Sequence, residues 1–473
     1  MLIDTSNYLR PSVIAVALAC VTMFGLAGCQ SYERQPLNVE QHLSDWKSRD
    51  GKSSELRAFA NSIQINTATS NFNLADGVSL EEAEIVALFF NAELRIARLS
   101  ADSEIAGARE SGQWEDPEFG IDGNWVLANV SNPLTLGVGF SFTIPLSGRL
   151  GVQEDLAYAN ANVALQQILV QEWQTLIELR VLWREAASIK NHISVLKNFI
   201  FVIDEVGQRA AALRDAGELN AASARVFDIN KQETLLESAG LQRQLERIGL
   251  EIKALIGFAP NADVDFNPVF SDVKVGDIDT DLLTRNPHIE LLRRSYEVSE
   301  QSYKLEIHKQ YPDLTIGPGY ELDDGQSKIG LGLGIPIPFW NANVEGIARA
   351  RADRNVAKAK FEAVVESQFS ELEQARHDIA SADAQLKTLQ DVIAPLVEKQ
   401  VNEARDLADL GEFDAMLQLE TLTSLHETKI RIIEALRFRA DALDSLTALS
   451  GPITKAPTVS ADDAEDSEPT EIQ

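Results

Sequence analysis

The chain has 473 residues, 45% of them hydrophobic and 24% charged, and 72 acidic against 42 basic side chains give a formal net charge of −30. That balance excludes a nucleic-acid binder, which needs a basic surface to displace counterions from phosphate. Both cysteines, Cys20 and Cys29, lie near the amino terminus, so the rest of the chain holds neither a disulfide nor a thiolate metal site.

Arg10 precedes an apolar run, Val13 to Leu26, which ends in Leu26-Ala27-Gly28-Cys29. The run, at about 14 residues, is too short to span a bilayer and suits a secretory signal. Small residues immediately before a cysteine fit a cleavage groove, and the segment resembles the lipobox of bacterial lipoproteins. That resemblance implies cleavage before Cys29, acylation of Cys29 with palmitate among the acyl groups, and a Gram-negative envelope. Gln30 in the following position then implies the outer membrane. Ordinary secretion with an incidental cysteine is the alternative. Residues 1–28 thus read as a signal peptide and 29–77 as a polar, lipidated extension. No later stretch approaches the roughly 20 apolar residues of a membrane-spanning helix, so any crossing of a membrane must use strands.

The rest of the chain repeats itself. Asn91-Ala92-Glu93-Leu94 recurs as Asn286-Pro287-His288-Ile289, Pro117-Glu118-Phe119 as Pro312-Asp313-Leu314, Ile144-Pro145-Leu146 as Ile335-Pro336-Ile337, and Gly217-Glu218-Leu219-Asn220-Ala221 as Gly411-Glu412-Phe413-Asp414-Ala415. The offsets are 195, 195, 191 and 194 residues. Four anchors in one order at nearly constant separation mark two copies of a single unit. The first copy spans 78–257 and the second 282–450. Each reads helix, two strands, very long helix, turn, long helix.

In chain order, Phe119 to Leu127 is the first predicted strand and Leu134 to Ile144 the second. The second alternates strictly, with Leu134, Leu136, Val138, Phe140, Phe142 and Ile144 on one face and small or polar residues on the other. A helix is then predicted from Gly151 to Leu213. Its seam, Leu182, Ala186, Ile189, Ile193, Leu196, Ile200 and Ile203, alternates spacings of four and three as coiled coils do. After Gly217 a second seam returns through Leu241, Leu245, Ile248, Ile252 and Leu255. Residues 258–281, with their Pro, Asn and Asp, read as a linker. The second copy supplies strands at Leu314 to Leu322 and Lys328 to Ile335, then a helical hairpin from Val344 to Leu449 around Gly411. Pro395 should kink its ascending arm. Residues 451–473 read as an acidic, disordered tail.

Strands of about ten residues with one apolar and one small or polar face suit the wall of a membrane barrel. A soluble sandwich is the alternative. Four strands cannot close a barrel, whose smallest membrane forms have about eight, and an open edge in lipid leaves backbone groups unpaired. Closure must come from oligomerisation: two copies would give eight strands and three would give twelve.

Together the paired Asn segments, the Pro-[Asp/Glu] strand starts, the passage Ile335-Pro336-Ile337-Pro338-Phe339-Trp340-Asn341 followed by Ala348, Ala350 and Ala352, and the two Gly-Glu tips resemble the TolC family of outer-membrane efflux proteins. The resemblance covers roughly residues 80 to 450, and the tips and the Ile-Pro-Ile-Pro passage look most like the heavy-metal-efflux branch. It implies a mainly α fold with a small membrane β-barrel: a homotrimer of four strands per protomer, twelve in all, continued by a long periplasmic α-barrel of coiled-coil hairpins. It further implies a passive duct for small molecules or metal ions. These would be delivered by an inner-membrane pump, of the resistance-nodulation-division type, through a periplasmic membrane-fusion adaptor. Outer-membrane lipid is the remaining partner, and no catalytic residue, cofactor or resident metal is expected. An outer-membrane duct for type I protein secretion shares the architecture, and a lipid-anchored coiled-coil scaffold without a pore is the reading from another class.

On the same resemblance Gly217, Glu218, Gly411 and Glu412 are the candidate adaptor contacts, each glycine also ending a helix in a left-handed conformation. Asp406, Asp409, Glu412, Asp414 and Glu420 cluster near the second tip, and threefold symmetry would turn a lumen-facing acid into a carboxylate ring. Asp406, Asp409, Asp414 and Glu420 are therefore the candidate aperture residues, against the plainer reading of a solvated helix surface. The family often carries acids six and nine residues after this glycine. Here those positions are Leu417 and Glu420, and in the first copy Ser223 and Val226. The six histidines show no metal-ligand spacing. Trp340 reads either as an interfacial anchor or as packing.

Overall fold

The structure is a computed structural model that describes residues 32–49, 51, 53–63, 72–74, 76–127, 134–270, 285–323, 326–451 and 458–459. The expected signal peptide, Cys29, the second half of the linker and the acidic tail beyond residue 459 lie outside the described residues. The chain divides into two compact units, residues 1–48 and 49–473. In the first, helix α1 (Val39–Lys47) starts at Asn38, whose side chain accepts from the Gln41 amide.

The second unit holds the rest. Helices α2 (Ser54–Ile63), α3 (Leu80–Phe90) and α4 (Ala92–Arg109) precede strands β1 (Glu118–Trp125) and β2 (Leu134–Ile144). Helix α5 (Arg149–Asp215) follows with 67 residues, about 100 Å at 1.5 Å per residue. Helix α6 (Ala221–Leu255) returns beside it. The second half repeats the order with α7 (Pro287–His308), β3 (Leu314–Asp323), β4 (Gln326–Gly334), α8 (Val344–Thr388), α9 (Ala394–Asp409) and α10 (Ala415–Ser450).

The coiled-coil seam packs as its spacing demands: Ala186, Ile189, Ile193, Leu196 and Ile203 of α5 are buried, as are Ile248 and Ile252 of α6. Around Trp183, Ala186, Ile189, Ile193, Ile248 and Ile252 merge with Leu56 and Ala60 of α2, Val86 of α3 and Phe258 into the largest apolar core. Pro395 does not break its helix. Its missing N–H and ring are met by a five-residue π-helical turn, Leu389–Ile393, immediately before it. Regular α-helix resumes at Ala394.

The duplicated asparagines explain why the two halves fold alike. Asn91 Oδ1 accepts from the Leu94 amide at 3.0 Å, capping α4, while its Nδ2 donates to the Leu255 carbonyl at 2.8 Å. Asn286 caps α7 through the His288 amide at 2.9 Å and donates to the Leu449 carbonyl at 3.1 Å. In each half one side chain therefore starts a helix and holds the end of the last helix of that half. The glycines just beyond those ends, Gly257 at φ +79° and Gly451 at φ +68°, lie so close to the carbonyls of Phe90 and Arg285 that neither has room for a Cβ.

One polar contact inside the helical core runs against the apolar pattern. Arg184 of α5 meets Asp444 of α10 at 2.8 Å, with the two side chains 6% and 3% exposed. The Arg184 guanidinium also donates to the Ala440 carbonyl. Neither Asp444 oxygen receives a well-directed hydrogen bond. Burial pushes the Asp444 carboxyl up to about 6, against the pull of Arg184, and burial likewise lowers Arg184.

Candidate functional site: a one-sided sheet and paired helix tips

The four strands form one antiparallel sheet in the order β1-β2-β3-β4. Its register puts Phe119 opposite Phe140, Ile121 opposite Val138 and Trp125 opposite Leu134. Val138 lies opposite Tyr320, which in turn lies opposite Ile329, and Ile316 lies opposite Leu333. Because side chains alternate, this register gathers every large apolar side chain of the four strands onto one face. That face lies bare, with Ile329 88% and Leu331 65% exposed. The other face carries a row of glycines across all four strands, Gly120, Gly139, Gly319 and Gly330. The next row is Asp122, Gly137, Glu321 and Lys328. Its polarity was legible in sequence; the alignment of the glycines was not, since it needs the register. β1 and β4 are the two edges, and among the described residues neither has an outer partner.

The sheet is rooted on the helices by ion pairs. Arg149, opening α5, donates from Nε to Asp313 at 2.8 Å and from Nη2 to Glu115 at 2.7 Å. The hydrogen bond to Asp313 holds the Arg149 guanidinium above its ordinary range. Ser147 adds a bond to Asp313 at 3.3 Å, and its carbonyl lies 2.7 Å from His308 Nδ1. Asp313 is the acid of the repeated Pro-[Asp/Glu] segment.

At the far end of the long helices both predicted turns form. Gly217 has φ +82° and Gly411 φ +92°. The amides of Glu218 and Glu412 donate back to the carbonyls of Leu213 and Leu407 at 2.9 and 3.0 Å, closing Schellman-type ends. Asn220 then caps α6 through the Ser223 amide at 2.8 Å. Asp414 caps α10 through the Met416 and Leu417 amides.

The two tips meet in one apolar cluster, in which Leu219 and Phe413 flank Ile203, Phe227 and Ala415. Glu218, Glu412, Asp406, Asp409, Asp414 and Glu420 are all exposed. Asp409 reaches Arg209 of α5 at 3.0 Å, and Asp414 is engaged as a cap, while Asp406 and Glu420 face solvent on α9 and α10. Arg209, which joins the two tips, carries no sequence signal, because its partner lies 200 positions away. A groove of about 210 Å³ beside it runs between α5 and α9–α10, lined by Arg209, Arg405, Phe413 and Gln418.

No helix among the described residues is long and apolar enough to cross a membrane, and none of their His, Cys, Asp and Glu groups is arranged to hold a metal ion.

Residues 280–452, the half containing β3, β4 and the second tip, match the family described as outer membrane efflux protein. That match covers 173 of the chain's 473 residues, across the second copy of the repeated unit. A relative, the cobalt-zinc-cadmium resistance protein CzcC of Cupriavidus metallidurans, is 22% identical over 261 residues, 51% of this chain and 61% of that protein. The match thus spans less than two thirds of that protein. Among solved structures, the outer membrane protein VceC of Vibrio cholerae superposes with a TM-score of 0.68 at 15% identity, over 79% of this chain and 97% of that one. CusC gives 0.68 at 16% identity, over 82% and 96%. What these chains share is the fold, a four-stranded sheet set on long helical hairpins.

Proposed function

We propose that this protein is the outer-membrane exit duct of a tripartite efflux system, working as a homotrimer anchored in the Gram-negative outer membrane by a lipidated Cys29. The observation that carries this reading is the sheet: four strands, one face that gathers their large apolar side chains, and two edges without a partner among the described residues, on a helical hairpin about 100 Å long. In water that face is a hazard, and in lipid those edges are forbidden unless copies of the chain pair them into a closed wall. Three copies give twelve strands, and their polar, glycine-lined faces then surround a wet lumen. The helices carry that lumen into the periplasm, where the two tips stand together. Glu218 and Glu412, held outward by Gly217 and Gly411, are the proposed contacts for a periplasmic adaptor, through which an inner-membrane pump delivers cargo. Asp406 and Glu420 are the proposed aperture acids, with Asp409 and Asp414 fixing the tip beside them. The likeness to CzcC supports metal ions as the cargo class, a choice that rests with the pump.

Purified full-length protein is expected to crosslink as a trimer and to give discrete conductance steps in planar bilayers, with Glu420→Ala weakening block by divalent cations. A monomer without conductance would refute the duct. Secretion of a neighbouring polypeptide substrate instead of metal efflux would move it to type I export.

A further inference from the structure

The β3–β4 ladder ends at Gly334, opposite Thr315, yet the lipid-facing alternation does not end there. Ile329, Leu331 and Leu333 are followed in the same parity by Ile335, Ile337 and Phe339, which are 57%, 73% and 70% exposed. Trp340 is 93% exposed, and its ring lies 5.5 Å from that of Phe339. Pro336 and Pro338 occupy the alternate positions, so the two residues between the apolar side chains carry no N–H to leave unpaired in an apolar phase. The Phe339 amide is satisfied locally by the Ile337 carbonyl at 2.9 Å.

The chain then returns to the protein through two left-handed non-glycine residues, Ala342 at φ +42° and Asn343 at φ +52°. Such residues persist only where the surroundings hold them. Here Asn343 Nδ2 donates to the Glu306 carbonyl and carboxylate at 2.8 and 2.6 Å, and Gln310 Nε2 donates to the Ala342 carbonyl at 3.0 Å. These bonds hold the two left-handed residues in place while the segment before them stays exposed. The antiparallel register puts all four junctions between strand and helix at the same end of the sheet, and the other three expose Trp114, Leu146 and Tyr311 there.

We propose that Ile335 to Trp340 is a lipid-inserted segment that enters the periplasmic leaflet at the headgroup boundary and fixes the depth at which each protomer sits. Its partner is phospholipid: acyl chain for Ile335, Ile337 and Phe339, and the glycerol and headgroup zone for Trp340, as indole rings favour. The inference rests on the membrane-spanning reading of the sheet and extends it beyond the paired strands.

The test uses the full-length protein with single substitutions Leu331→Cys, Ile335→Cys, Pro336→Cys, Ile337→Cys, Pro338→Cys and Phe339→Cys. Each is labelled with an environment-sensitive fluorophore, with the unsubstituted protein as the labelling blank. The proteins are reconstituted in phosphatidylethanolamine–phosphatidylglycerol vesicles whose lipids are brominated either near the glycerol or near the chain end. Shallow bromines are expected to quench positions 335, 337 and 339 two- to threefold and positions 336 and 338 little, while Leu331→Cys responds to the deep bromines. If position 331 is quenched and 337 and 339 are not, the inserted segment is overturned while the spanning sheet stands. Protection of 337 and 339 from aqueous iodide as well would then assign the segment to a protein contact. If position 331 is also unquenched, the membrane reading falls and this inference with it.

Discussion

Replacing Asp444 by asparagine is expected to stabilise the protein at neutral pH, although it removes one partner of a buried ion pair. The carboxyl is 3% exposed, lies 2.8 Å from Arg184, and is pushed from an ordinary 3.8 up to about 6 by burial. A rise of about 2 units corresponds to ~3 kcal/mol by which the ionised form is disfavoured in the folded protein, Arg184 included. The folded chain therefore holds this proton more tightly than the unfolded chain between pH 3.8 and about 6. Stability from this site is greatest below that window and falls as pH rises through it. Asparagine mimics the neutral acid, so Asp444→Asn should exceed the native protein by up to ~3 kcal/mol at pH 7.5, and the difference should shrink towards zero by about pH 4. Thermal or denaturant unfolding of both proteins in one detergent, from pH 4 to 8, measures it. Taking the difference between the two curves cancels the titration of the other carboxylates. The reasoning is refuted if the variant is instead less stable by ~3–5 kcal/mol at pH 7.5, the usual result of removing one member of a buried pair that is a net stabiliser.

Gly257→Ala and Gly451→Ala should each lower stability by more than ~1 kcal/mol, since both impose a Cβ on a left-handed backbone and press it into a carbonyl; two melts no lower than the native one would show that the surroundings yield. Arg209→Ala, which breaks an exposed pair with Asp409, should change global stability by less than ~1 kcal/mol while raising hydrogen exchange at the tip amides, and unchanged exchange would remove it as a fastener. Leu331→Arg on the bare sheet face should impair membrane insertion by ~2–4 kcal/mol, read as a shift from membrane to soluble fraction; full insertion would deny that this face meets lipid.

The periodic parts of the fold were legible because one periodicity decides each of them. Strict alternation placed β2 at Leu134 to Ile144, as found, and β3 and β4 within a few residues. Helix α5 was read two residues short at each end, where caps and turn geometry take over from packing. Pro395 announced a disturbance but not its form: whether a helix breaks, bends or admits a π-turn depends on what packs beside it. At the tips, Gly217 and Gly411 were readable from the chemistry of helix ends, and so was the Gly-Glu repetition. The division of labour among the acids was not. Asp414 turns out to be a cap, and Asp409 the partner of Arg209, which belongs to the other copy of the unit. The Arg184–Asp444 pair likewise joins α5 to α10 over 260 positions, and Gly257 and Gly451 matter only because a distant carbonyl fills the space a side chain would need. Contacts between the copies leave no trace in the local pattern of either.

The asparagine clasps have a consequence for how the molecule can be divided. Asn91 ties the opening of the first half to its own final turn at Leu255, and Asn286 does the same for the second half at Leu449. Each half therefore forms a loop buckled at its own base, and the peptide joining them belongs to neither buckle. Supplied as two separate polypeptides, the halves would each keep their fastening, and the assembled wall would have more seams without losing a stave.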